Sequence, residues 1–235
     1  MKIMKFLSLI TLVLLVVSCN KNGVSKKPLK TELDSVSYAI GMDVAKNVKK
    51  SFDDEFDNDL FIQGFLNASD STDIMIEETK AQQLVRAYFQ KKQQEEMAKR
   101  QEEAKVNKEE GDKFLAENKS KDGVVTTESG LQYIVLKEGT GPKPAATDKV
   151  KLHYHGTLID GTVFDSSVDK GEPITLGANQ FIKGFTEGLL LMPVGSKYKL
   201  FIPSDIGYGA NPRPGGAIKP NSALIFDVEL LEIVK

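Results

Sequence analysis

His153 and His155 are the only two histidines of the 235-residue chain. Two apart on a strand, they would point to one face. A metal site needs a third ligand, and neither a cysteine nor an acidic cluster presents itself. Val150, Leu152 and Tyr154 form the alternate, apolar face, so both histidines are expected to face solvent. Ser166 and Ser167 follow Asp165, but the G-x-S-x-G elbow that activates a serine is missing. Gly139-x-Gly141 reads as a turn, because no third glycine or helix start follows in register. Large apolar side chains do recur at strand ends and loops: Tyr154, Phe164, Phe181, Ile182, Phe185, Tyr208, Ile218 and Phe226. Asp165 stands directly beside Phe164. Core packing would account for most of these residues taken singly; no metal or cofactor is expected.

The elements around this set read as β-structure. "LQYIVLKEG", "KVKLHYHGTLI", "TVFDSS", "SKYKLFIPS" and "ALIFDVELLEI" are rich in Val, Ile, Leu, Phe and Tyr. Gly, Pro, Asn and Asp clusters divide them. Asp160-Gly161 predicts a two-residue hairpin turn. "GANQFIKGFTEGLLLM" predicts one short amphipathic helix. A single helix against a mostly antiparallel sheet is an α+β domain, expected over 123–235.

Upstream the pattern is helical. Val36, Ile40, Val44, Val48 and Phe52 recur every fourth residue and predict a helix over Asp34–Phe52. The Asp and Asn residues of "DNDLFIQGFLNAS" (57–69) can cap a second, short helix carrying Leu60, Phe61 and Phe65. A third starts near Ile76, with Leu84, Val85, Tyr88 and Phe89 on its apolar face. Residues 31–89 are too small to bury a sizeable core alone, which fits either a satellite of the main domain or a dimerisation module. Beyond Gln90 strong helix formers continue, but the segment is charged all round. Glu95–Lys99, Glu96–Arg100 and Glu109–Lys113 are spaced for ion pairs. Residues 90–122 are therefore expected to form a solvated stalk and linker, with about 60 Å of helix if it runs unbroken from Ile76 to Leu115.

The stretches "VKLHYHGTLIDGTVFDSS", "GEPITLGANQFIKGFTEGLLLMPVGSKYKLFIPSDIGYGA" and "KPNSALIFDVELLEI" resemble the FKBP-type peptidyl-prolyl cis-trans isomerases. The upstream organisation resembles the family's Mip and FkpA-like bacterial branch. The resemblance implies an antiparallel sheet wrapped on one short helix, preceded by an all-α N-terminal domain that dimerises and a long helical stalk. It implies a prolyl isomerase acting on unfolded, proline-containing polypeptides, without cofactor or metal. Phe185 would form the pocket floor, and Tyr154, Phe164, Ile182, Tyr208 and Phe226 its lining. The Tyr208 hydroxyl and the Ile182 N–H would donate to substrate carbonyls. Asp165 would be the polar rim group, with Tyr154, Phe164, Tyr208 and Phe226 the other catalytic residues. Phe181, Ile174 and Ile218 complete the substrate-binding set. The sequence departs from the family in having Phe185 for a frequent Trp, Ile174 for a frequent aromatic, and Lys170 for an Arg that can pair with the aspartate. A holdase chaperone with weak isomerase activity is the alternative.

The first residues are of another kind. Lys2 and Lys5 precede an apolar run from Phe6 to Val17, too short to span a bilayer and suited to a signal peptide over 1–18. "VVSC" resembles a bacterial lipobox, which implies acylation of Cys19, the single cysteine. The polar stretch that follows, within 19–30, reads as a flexible tether. The chain is therefore expected at the bacterial cell envelope, lipid-anchored and facing the periplasm from the outer membrane. A formal net charge of -2 gives no basic excess for nucleic acid.

Overall fold

The computed structural model describes residues 27–52 and 56–234. The leader and Cys19 lie outside the described residues, as does most of the tether. The chain divides into two compact units, residues 1–83 and 84–235.

In the first unit, α1 runs over Glu32–Phe52. Thr31 and Asp34 cap it reciprocally: the Asp34 N–H donates to Thr31 Oγ1 at 3.1 Å, and the Thr31 N–H donates to Asp34 Oδ2 at 2.8 Å. Helix α2 covers Asn58–Asp70, with the Asp57 carboxylate accepting from the N–H groups of Asp59 and Leu60. It ends at Ser71, whose left-handed φ of 55° closes the last turn. Neither helix has a buried residue. Leu33 is 73% exposed and Phe65 63%. The apolar stripes are thus present as expected, and a single chain leaves most of them exposed, although Val48 and Phe52 are half-buried.

Helix α3 spans Glu78–Asn118. Its C-terminal half differs from the expected all-round solvation. Ala104, Asn107, Gly111, Leu115 and Asn118 fall three or four apart and form the face packed on the second unit. A Cβ on Gly111 would lie 3.1 Å from Ala223 Cβ, so the helix seats closely. Asn118, 2% exposed, donates to Gln132 Oε1 at 2.9 Å, and Gln132 donates in turn to the Leu115 carbonyl at 2.8 Å. Replacing Asn118 by Leu would orphan a buried amide oxygen, a penalty of about 1–3 kcal/mol. Among the described residues Lys91 pairs with Glu95 and Lys108 with Asp112 along this helix, and Lys108 also pairs with Asp205. Arg100 turns toward Asn211 Oδ1, at 3.5 Å.

The second unit is the expected antiparallel sheet with one short helix. Its strands are β1 (Val125–Thr126), β2 (Gln132–Lys137), β3 (Lys149–Leu158), β4 (Val163–Ser166), β5 (Ile174–Gly177), β6 (Lys197–Ile202) and β7 (Leu224–Val234). They lie in the order β1-β2-β6-β7-β3-β4, with β5 also on β3. Helix α4 (Lys183–Leu191) turns Phe185 and Leu189 into the core. Leu224, Phe226, Val228 and Leu230 alternate inward along β7, the period-two pattern of a strand with one buried face. The β3–β4 hairpin has a three-residue loop, Ile159–Gly161, one residue longer than expected. The Gly161 N–H donates to the Leu158 carbonyl, and Gly161 takes a φ of +86°. The turn is thereby a bulged type, and a separate irregularity shifts the register between Gly156 and Thr157, where Phe164 is the extra residue.

Candidate active site

Strands β4, β3 and β7 meet at Gly156, which pairs with Asp165 on one side and Phe226 on the other. A Cβ on Gly156 would lie 2.7 Å from the Phe164 ring and 2.9 Å from the Phe226 ring. Only a glycine leaves room for both. Their centroids stand 5.3 Å apart, edge to face. Phe226 also meets Phe185 edge to face at 5.0 Å, and Phe185 stacks on Phe181 at 4.6 Å. Tyr154 closes the cluster at 6.4 Å from Phe185 and 6.3 Å from Phe226. Phe185 and Phe226 are 2% and 5% exposed, which makes them a packed floor.

Beside this cluster, sharing Phe164 with it, opens a cleft of about 410 Å³. Phe164, Asp165, Tyr208 and Ile218 line it. Of the other expected residues, Phe185 and Phe226 belong to the core cluster, and Tyr154, Phe181, Ile182 and Ile174 pack against it. Ile182 is the N-cap of α4, so its N–H precedes the helical hydrogen bonds. Tyr208 follows a short 3-10 turn, Ser204–Ile206, and is 46% exposed. Pro212, Arg213, Gly216 and Ala217 complete the lining, and sequence reasoning passed over them. Their signal was the density of Pro and Gly between Tyr208 and Ile218, in a loop without periodicity.

The rim is polar and held in place. The Tyr154 hydroxyl donates a short hydrogen bond to Asp165 Oδ2, and Lys170 Nζ pairs with Oδ1 at 2.7 Å. Buried Ser167 anchors the backbone here, because its Oγ accepts from the Tyr154 N–H at 2.8 Å. The two histidines do not face open solvent as expected. Both are half-buried beside the serines that end β4 and follow it. His153 Nδ1 lies 3.1 Å from Ser167 Oγ, and His155 Nδ1 lies 3.0 Å from Ser166 Oγ.

Burial pushes the Tyr154 hydroxyl up, and its bond to Asp165 pushes it further. Partial burial also raises the Asp165 carboxyl, but the bonds from Lys170 and Tyr154 outweigh this and hold it below its ordinary value. Burial, then the neighbouring Asp165 charge, raises Tyr208. Near neutral pH the tyrosines keep their protons and the aspartate keeps its charge. None of the three is poised to exchange a proton, as a general acid or base must be. The arrangement is suited to removing water from an apolar group and orienting polar groups around it.

Two family models match the chain. Residues 141–231 match "FKBP-type peptidyl-prolyl cis-trans isomerase", and residues 33–135 match "Domain amino terminal to FKBP-type peptidyl-prolyl isomerase". The FKBP-type isomerase FkpA of Aeromonas hydrophila is 44% identical over 216 residues, covering 89% of this chain and 80% of that protein. The "Outer membrane protein MIP" of Legionella longbeachae is 42% identical over 212 residues, covering 88% of each. The crystal structure of FkpA from Escherichia coli superposes with a TM-score of 0.66 at 32% identity, covering 88% of this chain and 98% of that one.

The rim makes a prediction about acid. A carboxyl held below its ordinary value of 3.8 contributes stability that is complete above that pH and is lost as pH falls through the lower folded value. The stability gap between the wild type and Asp165→Asn should therefore stay constant from about pH 7 to 5 and shrink below about pH 4. Urea midpoints of both proteins across this range read it directly. A gap that widens on acidification would contradict the assigned partners.

Proposed function

The chain belongs to the FKBP-type peptidyl-prolyl cis-trans isomerases, and from that premise we propose how its pocket catalyses rotation about the bond preceding proline. The barrier to rotation is about 18–20 kcal/mol and comes from C–N resonance. The planar amide is more charge-separated than the twisted one, so water favours the planar form. An apolar pocket withdraws that preference and favours the twisted form. No covalent step is needed. A differential stabilisation of about 8 kcal/mol would give roughly a millionfold acceleration.

The observation that carries this reading is the packed ring cluster of Phe185 and Phe226, which reaches the adjoining cleft through Phe164. The proline ring would sit on this cluster, with Tyr154, Ile182 and Ile218 as further walls and Phe181 and Ile174 in support. The Tyr208 hydroxyl and the Ile182 N–H would donate to substrate carbonyls and hold the chain on either side of the twisting bond. Asp165, fixed by Lys170 and Tyr154, would orient the tyrosine and face the amide without carrying its proton. The family's substrates are proline-containing polypeptides, and the proposed task is folding of exported proteins. A holdase would also use the uncovered stripes of α1 and α2, but it would not need the packed ring cluster.

If this is so, Phe164 and Asp165 should fail separately. Phe164→Ala admits water, whereas Asp165→Leu keeps the volume and deletes the carboxylate. Each should lower kcat/KM on a Xaa-Pro peptide about ten- to hundredfold, or about 1.4–2.8 kcal/mol of transition-state binding, with the fold intact by circular dichroism. Two folded variants with wild-type rates would refute the pocket.

The finer organisation is proposed too: signal peptide 1–18, lipidated tether 19–30, dimerising helices 31–89, stalk and linker 90–122, and isomerase domain 123–235. The lipobox-like "VVSC" supports acylation of Cys19 and an outer-membrane anchor facing the periplasm. The uncovered apolar stripes support a homodimer in which two copies complete one core. Among the described residues no helix is long and apolar enough to cross a membrane. The Cys19→Ala protein should take up no fatty-acid label, leave the membrane fraction and scatter light as a dimer. Label retained by the variant would overturn the anchor, and a monomer would overturn the shared core.

A further inference from the structure

A second cleft, of about 260 Å³, runs between α3 and the loop after Tyr208. One wall is the helix face carrying Glu96, Lys99, Arg100 and Glu103. Their spacing of three and four puts all of them on one side of the helix. The other wall is the loop from Pro212 to Pro220. Pro212, Arg213, Gly216 and Ile218 line this cleft and the aromatic cleft alike. The two therefore share one thin loop as a common wall, and a chain seated over the floor can continue along it.

The helix and the chain that follows the loop are tied together at one end of this cleft. Asn107 Nδ2 donates to the Pro220 carbonyl at 2.8 Å, and Asn221 Nδ2 donates to the Ala104 carbonyl at 3.3 Å. Its lining is also electrostatically biased. Lys99, Arg100, Arg213 and Lys219 stand against only Glu96 and Glu103, in a chain whose formal net charge is -2. A local cationic excess inside a concave site favours anionic ligands.

We propose that this cleft is an extended subsite of the isomerase, which takes the polypeptide flanking the bound proline and prefers acidic side chains there. The inference rests on the prolyl isomerase reading of the aromatic cleft. An extended chain advances about 3.3 Å per residue, so residues a few positions from the proline are the ones in reach. The charges sit near the surface. Their effect is selective, and salt weakens it.

The test uses the full-length protein and three peptide sets around one Xaa-Pro bond, with Glu, Lys or neutral residues at flanking positions on either side. At low ionic strength kcat/KM should be about three- to tenfold higher for a Glu set than for the Lys set. The ratio should fall toward one in about 1 M salt, where the Debye length is about 3 Å. The double variant Lys99→Glu, Lys219→Glu should lower or invert it. Because the readout is a ratio within one protein, a general loss of activity does not imitate the result. A ratio of one, or a preference that the double variant leaves unchanged, overturns the subsite while turnover of the neutral set keeps the isomerase reading. Absence of turnover on all three sets overturns both.

Discussion

Phe226 sits where three strands and a helix converge. It meets Phe164 across Gly156, Phe185 from α4 and Tyr154 from β3, all within 6.3 Å between centroids. The pocket depends on this convergence. The rings brace one another edge to face, and such contacts add about 0.5–1.5 kcal/mol each beyond burial. The missing side chain at Gly156 is as much a part of the site as the rings. Without that space β3 and β7 could pair, but Phe164 and Phe226 could not both occupy the wall. The rings are thus packed against one another in the chain alone, and a prearranged surface is what favouring a twisted amide without reorganisation requires.

The polar rim and the loop work on different terms. Asp165 is held by two donors from its own hairpin and the turn after it. The loop from Pro212 to Ile218 has no sheet partner and takes its support from outside. Just beyond it Pro220 and Asn221 are laced to Asn107 and Ala104 of α3, Gly111 lets the helix approach Ala223, and the Asn118–Gln132 pair closes the far end of the contact. The last turns of the long helix thus belong physically to the β unit. This joins the chemistry of the pocket to an element that the catalytic motifs do not include.

Much of this was legible in the residues. Alternation along "ALIFDVELLEI" marked a half-buried strand, the Asp-Gly turn marked the hairpin, and the Asp and Asn ahead of Leu60 marked the start of α2. The motifs around Phe164, Phe185 and Tyr208 carried the family. What escaped notice had no apolar periodicity to betray it. The docking face of α3 is built from Ala104, Asn107, Gly111 and Asn118, whose small size and amide groups are invisible to a search for hydrophobic stripes. The cleft residues Pro212, Arg213, Gly216 and Ala217 lie in a loop, where pattern says least. The histidines were misread because alternation assigns a face but does not say which neighbours share it, and here Ser166 and Ser167 bond both rings.

The central claim is that rotation is accelerated by desolvation and fixed hydrogen bonds, with no proton transferred in the rate-limiting step. The solvent deuterium isotope effect on kcat/KM for a Xaa-Pro peptide tests it most directly. An isotope effect indistinguishable from unity at neutral pH is the result this account predicts, since Tyr154 and Tyr208 keep their protons throughout. A value well above unity would mean that a proton moves in the transition state, and would contradict the account.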